Sequence, residues 1–433
     1  MYSGRKNEKE ILASFQKPFI TALLGPRRVG KSTLVSHFRE QNSTWKWCEL
    51  NMDSVGHQRT IIEKSLGRVI EESTRCKLGD EKIWVFIDEV QKMPMLFDGI
   101  KLLYDQYKDQ NCLKFILTGS SLLDLHELSA ETLAGRIELF YLREFTIKEA
   151  LGLQRQIPGV SLLDAIFKED FADLPVIIET LAPLRADLEA ALQTELIWGG
   201  LPEVLKLQEP QERLRYIVNY LQTYLERDVR AIQKIDNLKL YHDLIEIIAA
   251  QTGSQRDYSK LSNALGGHRE TIKKYSGYLE ATLFYEEIFP FIPSTLKRVV
   301  KSPKAYLLNN GLLTYFYGSY DFELLSKSGQ IGHRFENWFL KELKVALDTA
   351  VVKTGVYYWR SSGGQEVDFV VIKKPHTFLF EVTYGMTPEA KKVKNLQTLM
   401  QQEQLDYAFY IYRGEFRYDA EKRIYFLPAW AVC

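Results

Sequence analysis

Eight residues constrain this chain more than any others. Gly25-Pro26-Arg27-Arg28-Val29-Gly30-Lys31-Ser32 fits G-x-x-x-x-G-K-[ST] at every fixed position. It lies between an apolar run, Phe19 to Leu24, and a stretch with helical spacing that runs on to Glu40. A strand, a glycine-bounded loop and a helix N-terminus in that order make a cradle of backbone N–H groups for a phosphate. Within it Lys31 would neutralise charge on the β- and γ-phosphates, Ser32 would ligate Mg²⁺, and Thr33 adds a hydroxyl. The spacing therefore predicts that Gly25 through Thr33 bind ATP or GTP.

Two further apolar runs extend the pattern. Ile83-Trp84-Val85-Phe86-Ile87 ends in Asp88-Glu89, and Lys114-Phe115-Ile116-Leu117-Thr118 is followed by Gly119-Ser120-Ser121. Such near-continuous runs suit strands buried on both faces of a parallel sheet, and Leu96 to Tyr107 between them has helical spacing. The expectation is a doubly wound parallel α/β sheet whose ligand sits at the carboxyl ends of the strands. Asp88 is then placed to hold Mg²⁺ with Ser32, which leaves Glu89 as the general base for the attacking water. Thr118 would set a hydroxyl beside the γ-phosphate, with a plain strand-to-loop turn as the competing reading. Arg136 is a candidate for stabilising transition-state charge on a neighbouring subunit's nucleotide, and Arg28 and Arg227 are weaker candidates. For each arginine a surface salt bridge competes.

Past Glu144 the character changes. Leu162–Asp170, Leu184–Gly199 and Gln211–Ile235 carry apolar residues at helical spacing, and Asp257 to Val300 reads helix, Gly266-Gly267 turn, helix, then two strand-like runs. The expected order is a nucleotide-binding domain at 1–145, a helical lid at 146–240, a winged helix-turn-helix at 241–315 and a smaller α/β domain at 316–433. Arg269, Lys273, Lys297, Arg298, Lys301 and Lys304 could form a phosphate-contacting strip for DNA. Lys and Arg total 56 against 56 Asp and Glu, so any pull on a polyanion has to come from such a local patch. Cys48, Cys76, Cys112 and Cys433 are scattered without a C-x-x-C pair, which points to a reducing compartment. The polar N-terminus, and apolar runs all shorter than the ~18 residues that span a bilayer, point to a cytoplasmic protein with no membrane partner.

In the last segment Asp368 and Glu381 interrupt apolar strands, and Glu336 sits in the preceding helix. Carboxylates in buried strands are costly without a cation, so the three acids suggest a shared Mg²⁺ site. The seven histidines form no H-E-x-x-H, and no G-x-S-x-G elbow occurs.

Taken with Gln91-Lys92-Met93-Pro94, Leu133-Ala134-Gly135-Arg136, Gly199-Gly200-Leu201-Pro202-Glu203, Tyr224-Leu225-Glu226-Arg227-Asp228 and Lys301–Tyr306, these motifs resemble the AAA+ superfamily. More closely, the chain is similar to prokaryotic ATPases with a C-terminal restriction-endonuclease-like domain. The resemblance implies that Asp88 and Glu89 are the Walker B pair, Thr118 the sensor and Arg136 a candidate arginine finger. It also implies ATP rather than GTP, in keeping with the lack of an N-K-x-D motif, and a ring of six as the default homo-oligomer. In the last domain it implies the PD-(D/E)xK pattern, with Thr383 standing where the family carries its lysine and Asn309 where it typically has Asp. That departure makes a degenerate nuclease-like domain the expectation, with Lys391 or Lys392 as possible substitutes. The reading is an ATPase doing conformational work on DNA. The alternatives are an ATP-controlled switch for a protein partner and an ATP-gated, metal-dependent nuclease.

Overall fold

The computed structural model describes residues 2–42, 44–120, 133–223, 235–292, 302–318, 320–348 and 354–432. Ser121, Arg227, Lys297, Arg298 and Lys301, singled out above, lie outside the described residues. The chain divides into two compact units, Tyr2–Glu144 with Ala281–Leu283, and Phe145–Glu280 with Phe284–Cys433.

The first unit is built on β1 (Ile20–Leu24), β2 (Lys46–Asn51), β3 (Ile83–Asp88), β4 (Leu113–Gly119) and β5 (Ile137–Tyr141), all parallel, in the order β2-β3-β4-β1-β5. Every residue of β1 and β4 is buried, as is β3 up to Ile87, which is why their apolar runs are unbroken. Even Lys114 on β4 is buried, and its ammonium donates to the Lys17 carbonyl at 2.6 Å. β2 and β5 flank these strands at the two edges and carry charges, Lys46 and Glu49 on one and Glu138 on the other. Helix α1 (Lys31–Gln41) follows the loop after β1, and α2 (Leu96–Tyr107) links β3 to β4. Leu96, Phe97 and Ile100 of α2 pack into one apolar core with Ala22, Val85, Ile87 and Leu117. Each such side chain contributes roughly 1.5–3 kcal/mol on burial.

The second unit has a nine-stranded mixed sheet. Its elements include α3 (Arg185–Trp198), β6 (Ser254–Gln255), α4 (Tyr258–Leu265), α5 (Arg269–Ala281), β7 (Tyr285–Pro290), β8 (Lys304–Leu307), α6 (Ile331–Leu347), β9 (Thr354–Arg360), β10 (Glu366–Lys373), β11 (His376–Val382), α7 (Ala390–Glu403), β12 (Ala408–Tyr412), β13 (Arg417–Asp419) and β14 (Ile424–Pro428). The strand order is β13-β14-β12-β11-β10-β9-β7-β8-β6. β7 joins β9 in parallel through Phe289↔Tyr357 and Pro290↔Tyr358. The segments 241–315 and 316–433, read from sequence as two domains, therefore share one sheet, and the 146–240 segment belongs to the same compact unit. α6 is buried around most of its circumference, and its Lys341 pairs at 2.8 Å with Glu195 of α3, both almost fully buried. Removing one partner of such a pair leaves a stranded charge, so α3 and α6 are held in register.

Candidate functional site

The loop between β1 and α1 depends on its two glycines. A Cβ on Gly25 would stand 2.0 Å from the Leu142 carbonyl oxygen, and Gly30, the residue before α1, has φ 99° and ψ 21°, a left-handed conformation open to glycine. Sequence reading missed Arg5, which braces this loop. It is buried and donates to the Val29 carbonyl at 2.7 Å and to the Arg143 carbonyl at 2.5 Å. No motif marks it, because its partners are main-chain oxygens far off in sequence.

Lys31 is buried and folded back on the loop, donating to the Gly25 and Pro26 carbonyls at 2.9 Å each. Burial pushes its ammonium down to about 8, against the opposing pull of Glu89 and Asp88. Ser32 donates to one oxygen of Asp88 at 3.3 Å, while the other oxygen accepts from Thr118. Because β4 lies between β1 and β3, the end of β4 is the natural bridge between the loop and Asp88. Thr118 at the end of β4 thus bonds Asp88 directly. Arg27 is half-buried, Arg28 is exposed at φ 64°, and Thr33 is exposed on α1.

Glu89 is buried in the left-handed region at φ 53°, an uncommon conformation for this residue type. One of its oxygens accepts from Gln91 at 2.6 Å and from Ser120 at 3.0 Å, with Arg27 at 3.8 Å. Gln91 and Ser120 belong to motifs quoted above, but their hold on Glu89 is visible only once β3 and β4 are paired. Arg136 lies elsewhere. It precedes β5 at the end where Ile20 faces Ile137, so the length of β1, about 16 Å, separates it from its own loop. It donates to both oxygens of Asp105, at 2.9 and 3.0 Å.

A second polar centre lies in the other unit. Lys392, on α7, donates to Glu381 at 2.9 Å and to the Val382 carbonyl at 3.1 Å, and stands 3.7 Å from Asp368. Of the two lysines considered, Lys391 is exposed, whereas Lys392 lies against Glu381 and Asp368. Thr383 itself hydrogen-bonds the Tyr410 hydroxyl at 2.9 Å. Burial drives Glu381 well above the usual carboxylate range, with Asp368 adding to it. Burial opposes ionisation of Asp368 too, yet Lys392, Lys304 and the Val382 amide prevail and hold it below the ordinary value. Glu336, near the Tyr306 hydroxyl at 3.4 Å, is pushed up to about 7 by burial and by Asp368. Glu336, Asp368 and Glu381 share one electrostatic cluster but do not close to metal-ligand spacing. Among the described residues the set within 4.8 Å is His242, Asp243 and Glu246.

The basic strip changes accordingly. Arg269 and Lys273 are exposed on α5. Lys304 is buried on β8, paired with Glu366, and faces the acidic cluster, so it is not a surface contact for DNA. Asn309 caps the helix Asn310–Tyr317, accepting from the Leu312 amide at 2.6 Å.

The β2-β3-β4-β1-β5 sheet, the glycine-bounded loop after β1 and the acidic pair after β3 define a P-loop nucleotide-binding domain. Residues 17–151, most of the first unit, match the family model described as an AAA domain. Residues 189–322 and 331–432 match two domains of unknown function, DUF8612 and DUF4143. Over 410 residues the chain is 23% identical to uncharacterised proteins of Mycobacterium tuberculosis and Mycobacterium bovis, an overlap of 95% of this chain and 80% of each relative. Among solved structures it is similar to the RuvB Holliday junction branch migration motor of Thermotoga maritima, with 17% identity, 66% of this chain, 89% of that one and a TM-score of 0.30. The ORC1 protein of Aeropyrum pernix in complex with DNA gives 12% identity, 75% and 95% coverage, and a TM-score of 0.30. Among the described residues no helix is long and apolar enough to cross a membrane.

Proposed function

We propose that this protein hydrolyses ATP at the loop Gly25–Thr33 and uses the cycle for conformational work on DNA. The observation that carries the reading is the position of Asp88, bonded to both Ser32 and Thr118, with Glu89 next in the chain. The loop N–H groups would receive the phosphates, and Lys31 would leave the Gly25 and Pro26 carbonyls to meet them. The Ser32 hydroxyl and the Asp88 carboxylate fit a shared Mg²⁺, which when bound supplies positive charge to the β- and γ-phosphates. Glu89, fixed by Gln91 and Ser120, is the group to take a proton from water. Arg136 would act only across a subunit interface, after release from Asp105. Coupling to DNA would run through α4 and α5, taken as a helix-turn-helix with β7 and β8 as its wing, and the exposed Arg269 and Lys273 on α5 support it.

The test is steady-state ATP turnover by wild type, Lys31→Ala and Glu89→Gln, with and without duplex, single-stranded and branched DNA at low salt. Turnover lost in both variants and stimulated by one DNA form is the expected result. Turnover indifferent to every DNA would favour the protein-partner switch, and no turnover would overturn the reading.

Lys392 favours a second activity, metal-dependent phosphodiester cleavage in the C-terminal part, where the elements α6, β9, β10, β11 and α7 carry a PD-(D/E)xK-like set of residues. Glu381, held protonated by burial, shares its proton with the neighbouring Asp368 carboxylate, and a divalent cation would take the place of that proton. Asp368 and Glu381 would hold the ion, which when bound would supply Lewis-acid charge, and Glu336 would join by a small movement. Lys392 would hold the water or the phosphodiester. Strand scission in Mn²⁺ by wild type but not by Lys392→Met is the expected outcome, and intact DNA in both would remove this reading.

A further inference from the structure

Gly253 turns the chain from the helix Leu238–Ala250 into β6 at φ 76°, and its amide donates to the Ala305 carbonyl of β8 at 2.8 Å. A Cβ on this residue would stand 3.0 Å from Nδ1 of His333 and 3.5 Å from Oε2 of Glu336. An imidazole nitrogen and a carboxylate oxygen thus border one small space, which the glycine leaves open. The Tyr306 ring borders it too, 3.5 Å from the same point. His333 and Glu336 stand three residues apart in the first turns of α6, the spacing that puts two side chains on one helix face.

This brings a new residue type to the acidic cluster. His333 is exposed and Glu336 half-buried, while Asp368 and Glu381 are buried, so the ring stands on the solvent side of the cluster. Lys304 and Asp368 both bear on the charge of His333, as they do on that of Glu336. Among the described residues no hydrogen bond or ion pair ties down the His333 ring. Its nitrogen is therefore available to a cation that Glu336 also reaches.

We propose, resting on the reading that this cluster holds a divalent cation, that His333 is its nitrogen ligand and that the ion is a first-row transition metal. Carboxylates alone suit Mg²⁺ and Mn²⁺, whereas an imidazole shifts preference towards Co²⁺ and Zn²⁺. His333 would bind the ion through Nδ1 and Glu336 through Oε2, and Asp368 would add negative charge from the buried side.

The test is calorimetric titration of the nucleotide-free full chain with Co²⁺, Mn²⁺ and Mg²⁺. Wild type should bind Co²⁺ most tightly and Mg²⁺ least. His333→Ala should weaken Co²⁺ at least about tenfold and leave Mg²⁺ within about twofold, whereas Glu336→Gln should weaken all three. His333→Asp, which returns a ligand without the nitrogen, should restore Mn²⁺ binding but not the preference for Co²⁺. The visible absorption of bound Co²⁺ should change in His333→Ala and stay as in wild type in His242→Ala, which breaks up the set His242, Asp243 and Glu246. Co²⁺ affinity and absorption that ignore His333→Ala or are lost in His242→Ala, with Glu336→Gln still weakening every metal, overturn the role of His333 alone. Equal losses of all three metals in His333→Ala mark a structural role and overturn it as well. No metal binding, or binding indifferent to Glu336→Gln, removes the cation-binding reading and this assignment with it.

Discussion

Lys31 couples nucleotide binding to a proton. Its ammonium is buried and titrates at about 8 rather than 10.5, a difference equivalent to roughly 3 kcal/mol against the charged form. A phosphate chain brought against it restores the charge, so ATP binding should take up a proton. With a value of about 8, the group is about one-tenth deprotonated at pH 7, half at pH 8 and nine-tenths at pH 9. Uptake per ATP should then be about 0.1 at pH 7 and about 0.5 at pH 8, and apparent affinity should fall about tenfold from pH 7 to pH 9. Titration calorimetry at pH 8 in buffers of different ionisation enthalpy measures the uptake directly, because the triphosphate itself is fully ionised there. Lys31→Arg, always charged, should show none. The sign for folding is opposite. The unfolded chain binds more protons than the folded one between about 8 and 10.5, so this group adds stability as pH rises through that window. Equal heats in all buffers, or uptake that survives in Lys31→Arg, would refute the assignment.

Other consequences are equally direct. Glu336, raised to about 7, and Glu381, also held above the ordinary range, must each lose a proton to bind a cation, so Mn²⁺ affinity of the nucleotide-free protein should rise steeply from pH 6 to pH 8, with the Glu336 share of about tenfold removed in Glu336→Gln. Without metal, the same group makes the fold less stable as pH climbs from 4.5 to 7, a trend visible in thermal midpoints. Lys392→Met strands Asp368 and Glu381 and should cost roughly 3–5 kcal/mol in urea unfolding at neutral pH, partly recovered by Mn²⁺. Gly25→Ala drives a methyl into the Leu142 carbonyl and should abolish ATP binding in a fluorescent-nucleotide assay. Arg136→Ala breaks a part-exposed pair and should barely move the thermal midpoint, so a large loss of turnover would identify a role in trans, checked by mixing it with Lys31→Ala subunits.

The strands that carry the loop and the acidic pair were legible because burial on both faces leaves no room for polar residues. β2 and β5 escaped because edge strands admit charges, as Lys46, Glu49 and Glu138 show. Gly25 to Ser32, Asp88 and Glu89 declare themselves through short-range spacing. Arg5 acts through contacts made by tertiary folding and no local pattern announces it, while Gln91, Ser120 and Lys392 stand in quoted motifs whose spacing does not reveal their partners. Lys304 misled for a related reason. A lysine near other lysines looks like part of a surface strip, but burial on β8 turns it towards Glu366 and Asp368.

The β7–β9 ladder sets a rule for how this chain can be cut or recombined. The two regions matched as domains of unknown function meet within one hydrogen-bonded sheet, and β8 of the first places Lys304 and Tyr306 among the acids of the second. Expressed alone, residues 316–433 would lack two of the groups that balance the cluster and would offer β9 as an open edge. In this protein they are to be cut and recombined as one piece.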